Sequence, residues 1–142
     1  MVDSQSLRLA LGAASVQDQI AAYIAQQLRA KGYDISPATL NFLSALDCGV
    51  NVGADIARRL KVSRQMVAKT VKELCRAGYL EQVDGVGKQK QILFTAAGEQ
   101  LMAEVRQLLA QLDKGLLEAL GETALQETLA RLDTIRHLLS KS

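Results

Sequence analysis

Gln65, Lys69, Lys72 and Arg76 recur at three- and four-residue spacing within thirteen residues that begin after Ser63. On a helix turning about 100° per residue they fall in one arc of roughly 60°. Val67, Val71 and Leu74 fall in a similar arc on the other side. Long hydrogen-bond donors on one face, with β-branched and Leu side chains on the opposite face, suit a helix that is anchored inside and reaches outward. Gln presents a donor and an acceptor that match adenine, Lys donates to guanine, and Arg and Lys both meet phosphate. The alternative reading of such a stripe is a solvated basic face of an ordinary helix. What separates the two is the company the helix keeps.

That company is a shorter helix from about Asn51, carrying Ile56, Ala57 and Leu60, then the turn Lys61-Val62-Ser63. Ser63 is a natural cap for the second helix, which is expected to run to about Ala77 and to stop at Gly78. Two strands, Tyr79 to Val83 and Gln89 to Phe94, flank Asp84-Gly85-Val86-Gly87, whose glycines supply positive φ. Helix, tight turn, basic helix and hairpin, in that order, form a winged helix-turn-helix pattern. Charge is segregated accordingly. Arg58 to Lys90 holds nine basic and three acidic residues, a net of +6, which leaves −4 for the rest of a chain whose total is +2. A local positive field of this kind favours a polyanionic partner. Lys61 occupies the turn where many such motifs have Gly; if it is left-handed there, it costs on the order of 1 kcal/mol.

The flanking elements are helical. Val16, Ile20, Tyr23, Ile24 and Leu28 mark a first helix from about Gln5 to Lys31, and Gly32 ends it. Ser36-Pro37 opens a second, with Leu40, Leu43 and Leu46 inward, ending at Cys48-Gly49. After Thr95 a long helix carries Leu101, Val105, Leu108, Leu112, Leu116 and Leu120. Gly121 interrupts it before a last helix with Leu125, Leu129, Leu132, Ile135 and Leu139. The apolar surplus of the first and last two helices exceeds what one small core can bury and points to a second copy of the chain.

Three fragments, ISPATLNFLSAL, ADIARRLKVSRQMVAKTVKELCRAGYL and ILFTAAGEQL, together with Leu74-x-x-x-Gly78-Tyr79-Leu80 and Phe94-Thr95-x-x-Gly98, resemble the MarR family of winged-helix transcriptional regulators over nearly the whole chain. The resemblance implies a mainly α fold with a small β-hairpin wing. It implies an N-terminal dimerisation helix (1–34), a winged helix-turn-helix DNA-binding lobe (35–95) and C-terminal dimerisation helices (96–142) in one compact subunit. It further implies a bacterial or archaeal homodimer that binds a pseudo-palindromic double-stranded operator as a repressor. Its affinity would be set by a small-molecule effector held between the helical layer and the DNA-binding lobe. DNA contacts are expected from Ser63, Arg64, Gln65, Lys69, Lys72, Arg76, Lys88 and Lys90. The wing tip departs from the family's Asp-x-Arg or Asp-Arg-Arg pattern: Asp84-Gly85-Val86-Gly87-Lys88-Gln89-Lys90 holds no arginine, and lysine, though able to meet phosphate, reads a narrow minor groove less well. A second reading is a winged-helix module for protein contact or chromosome architecture, without operator or effector.

Other chemistry finds little support. His137 is the single histidine and lies among leucines, as a surface or interface residue. Asp113, Glu118, Glu122 and Glu127 read as a solvated face. Asp84-Gly85-Val86-Gly87-Lys88 lacks the spacing of a phosphate loop. No catalytic set, metal set or cofactor is expected, and an enzyme is not. Cys48 and Cys75 read as buried structural cysteines, with oxidant sensing as the alternative. With no membrane-length apolar run and no secretion signal, the expected compartment is the cytoplasm.

Overall fold

The computed structural model describes residues 3–85, 87 and 90–141. Among them are α1 (Gln5–Ala30), α2 (Pro37–Asp47), α3 (Gly53–Leu60), α4 (Arg64–Arg76), β1 (Leu80–Asp84), β2 (Lys90–Phe94), α5 (Ala96–Leu120) and α6 (Glu122–Ser140). The fold is thus mainly helical with one two-stranded hairpin, as the sequence leads one to expect. The chain forms two compact units, residues 1–105 and 106–142.

The helix starts follow from local chemistry. Ser36 Oγ accepts from the Thr39 N–H at 3.1 Å with Pro37 in the first turn, and Ser63 Oγ accepts from the Met66 N–H at 3.0 Å. Each such cap satisfies a backbone donor that the helix itself cannot. The third helix begins later than the apolar pattern suggests. The Asn51 carbonyl accepts from the Ile92 N–H at 2.9 Å and Val52 forms an antiparallel bridge with Gln91, so these two residues are extended beside β2 and the helix opens at Gly53. Likewise Tyr79 lies just outside the hairpin ladder, which runs in register from Leu80 opposite Phe94 to Asp84 opposite Lys90. Gln89, expected in the second strand, lies outside the described residues.

The core of the first unit draws on every one of its elements. Leu28 of α1, Leu43 of α2, Ile56 of α3, Ile92 of β2 and Leu101, Met102 and Val105 of α5 are fully buried, joined by Val67, Val71 and Leu74 of α4 and Leu80 of β1. Lys31 at the end of α1 donates to Glu104 of α5 at 2.6 Å. The cysteines depart from expectation: Cys48 is exposed and Cys75 half-buried. Cys48 lies past the last inward residue of α2, as its C-cap, and Cys75 lies on the flank of α4 between its inner and outer faces.

In the second unit, no residue of α6 is buried, and Leu138 and Leu139 are 63% and 67% exposed. Leu116, Leu117, Leu120, Leu129 and Leu132 are exposed as well. Gly121 adopts φ 82° between α5 and α6. Asp113, Glu118, Glu122, Glu127 and His137 are all exposed. Among the described residues no helix is long and apolar enough to cross a membrane.

The two most distinctive sequence fragments meet at one joint in the first unit. Gly78, at φ 91°, ends α4, and its carbonyl accepts from the Thr95 hydroxyl. The Tyr79 carbonyl accepts from the Thr95 N–H at 3.0 Å, and Thr95 Oγ1 accepts from the Gly98 N–H at 3.1 Å. Gly98 lies so close to the Tyr79 carbonyl that a Cβ would overlap its oxygen. Backbone occupies the space, so no rotamer change can relieve that clash. Gly98→Ala is therefore expected to destabilise the protein by about 2 kcal/mol or more, as a lowered denaturant midpoint in urea. An unchanged midpoint would show that the joint is not tight.

Candidate nucleic-acid interface

The helix-turn-helix is built around an unusual backbone position. Lys61 ends α3 at φ 56°, ψ 44°, the left-handed conformation, and is the sole non-glycine residue with positive φ among those described. Its N–H and that of Val62 both turn back to the Ala57 carbonyl, the latter at 3.1 Å. This closes the turn in the manner of a glycine-terminated helix, using a lysine. Ser63 then returns to extended backbone and caps α4. Buried Ile56 and Ala57 of α3 and buried Val67 of α4 hold the two helices on the shared core.

With that anchor set, the outward face follows. Ser63, Arg64, Gln65, Lys69, Lys72 and Arg76 are all exposed, as is Lys90 on β2. Gln65, Lys69, Lys72 and Arg76 share the side of α4 opposite Val67, Val71 and Leu74. Lys88 lies outside the described residues. Arg64 and Lys90 come together from distant sequence positions: both line a groove of about 320 Å³ between α4 and the hairpin, floored by Val67, Val71 and Ile92. Gln82 of β1 lines the same groove and was not singled out by sequence, because an exposed strand glutamine carries no periodic signal. Arg58 and Arg59 are both exposed, and Arg58 pairs with Asp55 one turn earlier on α3.

The arrangement offers amide and ammonium donors along one helix, flanked by guanidinium and ammonium groups at its start and on the hairpin. It can pair with phosphates and with base edges. Among the described residues, no group of three or more His, Cys, Asp or Glu could hold a metal ion.

No protein-family model matches the chain, and no curated protein matches it significantly. Solved structures do match along essentially all of it. A MarR transcriptional regulator from Methanosarcina mazei superposes with a TM-score of 0.76 at 14% identity, covering 99% of this chain and 94% of that one. MepR of Staphylococcus aureus, in complex with DNA, gives 0.71 at 18% identity over 97% and 99%. The PcaV transcriptional regulator of Streptomyces coelicolor, in complex with its natural ligand, gives 0.66 at 19% identity over 99% and 96%.

The left-handed lysine generates a test that is independent of any partner. Lys61→Gly removes a cost of about 1–2 kcal/mol in the folded state and adds about 0.4–1 kcal/mol of unfolded-state entropy. The net expectation is a gain of roughly 0.5–1 kcal/mol, whereas β-branched Lys61→Val should lose stability. Urea unfolding of the two variants checks this, and a destabilised glycine variant would contradict it. Helix order, hairpin register and full-length superposition converge on one conclusion: the chain has the MarR-type winged helix-turn-helix fold.

Proposed function

We propose that this protein is a homodimeric, sequence-specific DNA-binding transcriptional regulator that acts as a repressor in the cytoplasm and is released from its operator by a small-molecule effector. The observation that carries the reading is the exposed Gln65, Lys69, Lys72 and Arg76 stripe on a helix whose opposite face is fully anchored. A solvated basic helix would not require the left-handed turn, the cap and the lysine-bearing hairpin to converge on it. The net +6 between Arg58 and Lys90 supports a polyanion as partner. The DNA-bound state of MepR and the ligand-bound state of PcaV, on the same fold, support DNA and a small molecule as the two ligand classes.

The homodimer is supported by apolar surface. Leu7, Leu9, Leu11 and Val16 along α1 are exposed, as are Leu116, Leu117 and Leu120 of α5 and Leu129, Leu132, Leu138 and Leu139 of α6. Water contact on so many leucines is costly at about 25 cal/mol per Å², and a second copy of the same helices would remove it. Residues 1–34 and 96–142 are assigned to that interface and residues 35–95 to DNA. Effector and operator would then be linked as reciprocal ligands of two arrangements of the dimer. No group in the described site assembles a catalytic constellation, and none is assigned a reaction.

Within the DNA-binding lobe, Gln65 and Lys69 are assigned to base edges, being outward in the first two turns of α4. Ser63, Arg64, Lys72, Arg76, Lys88 and Lys90 are assigned to the phosphate backbone. Gln65→Ala or Lys69→Ala should cost roughly 1–3 kcal/mol on the operator and relax base preference at one or two positions per half-site. Alanine at a basic phosphate-contacting position should weaken specific and non-specific binding alike and lower the log–log salt slope by about one unit per contact. Binding of each variant to single-base operator changes at two salt concentrations separates the roles. If Lys90→Ala alters base preference while Lys69→Ala does not, the wing and not the helix carries the specificity.

A further inference from the structure

Met66 is out of keeping with its surroundings. It lies in the first turn of α4, next to Gln65 and one turn before Lys69, and 53% of it is exposed. In the preceding turn Val62 is 40% exposed. Side chains on a helix lean toward its N-terminus, so the Met66 thioether lies back over the α3–α4 turn. Met66 and Val62 line one crevice of about 170 Å³ together with Ala38 and Phe42 of α2, Leu60 of α3 and Thr70 of α4. A small apolar patch therefore sits beside the two residues assigned to base reading.

The occupant of such a patch must be apolar, and the exposed Gln65 and Lys69, beside Met66 and one turn further along α4, suit a partner that also carries hydrogen-bonding groups and negative charge. The major groove of DNA displays one apolar group among its base edges, the 5-methyl of thymine. Resting on the reading of α4 as the helix that enters that groove, we propose that Met66 is a specificity determinant in its own right, recognising the methyl group of a thymine next to the bases met by Gln65 and Lys69. Its unbranched thioether is polarizable and adapts to the shape of the contact, and the half-exposed Val62 extends the apolar surface.

Replacing thymines one at a time with deoxyuridine removes the methyl and leaves every hydrogen bond in place. With the full-length protein on its preferred duplex, one exchange in a single half-site should weaken binding about threefold to fivefold, the worth of one carbon taken out of water. Met66→Ala should bind more weakly and be indifferent to that exchange, whereas Met66→Leu should retain most of the penalty. Both variants should keep the wild-type salt slope, since no charge is altered. Indifference of the wild-type protein to every exchange would overturn the proposal, as would an undiminished penalty in Met66→Ala. Selective binding with no methyl dependence would overturn it alone. Failure to prefer any duplex would overturn it together with the DNA-binding reading.

Discussion

Everything that α4 can do depends on how tightly its end is tied to the start of α5. The tie is a backbone contact: Gly98 packs against the Tyr79 carbonyl, which also accepts from the Thr95 N–H, while the Thr95 hydroxyl donates to Gly78. Three elements leave this point in different directions, namely α4, the hairpin and α5. Because the contact is backbone to backbone, no side-chain rearrangement can loosen it. The angle between the helix and the hairpin is thereby fixed locally, before any partner arrives. At the other end of α4, the left-handed Lys61 and the Ser63 cap set the angle to α3. A helix held at both ends and along its inner face presents its outer face with little freedom, which is what reading a rigid duplex demands.

The same economy explains where the chain is incomplete by itself. Buried side chains concentrate in α2, α3, α4, the hairpin and the adjoining parts of α1 and α5. Leucines continue beyond those regions in both directions at the same helical spacing and are exposed. A second copy of the chain would resolve this surplus, and it would also turn one basic stripe into two related by a two-fold axis. On this view dimerisation and operator symmetry are consequences of one distribution of leucine.

Much of this was legible in the residues. Val67, Val71 and Leu74 face inward and Gln65, Lys69, Lys72 and Arg76 outward because 3.6-residue periodicity is strong in a short amphipathic helix. Ser36, Ser63 and Thr95 cap as their hydroxyls dictate. What escaped the sequence depended on contacts distant along the chain. Asn51 and Val52 look like the first turn of a helix until Gln91 and Ile92 pair with them. Gln82 gains meaning only when the hairpin brings it to the groove shared by Arg64 and Lys90. Met66 reads as one more apolar residue of an amphipathic helix until its exposure is seen. Cysteine is so often buried that Cys48 reads as a core residue, whereas its position past the last inward residue of α2 leaves it in solvent.

The central claim is that two copies of α4 read DNA across a two-fold axis. Selection of bound duplexes from a random library with purified full-length protein tests it most directly. The expected result is enrichment of an inverted repeat whose half-sites lie about one helical turn, roughly 10 base pairs, apart. Recovery of a single half-site without its inverted mate, or of no preferred sequence at all, would contradict it.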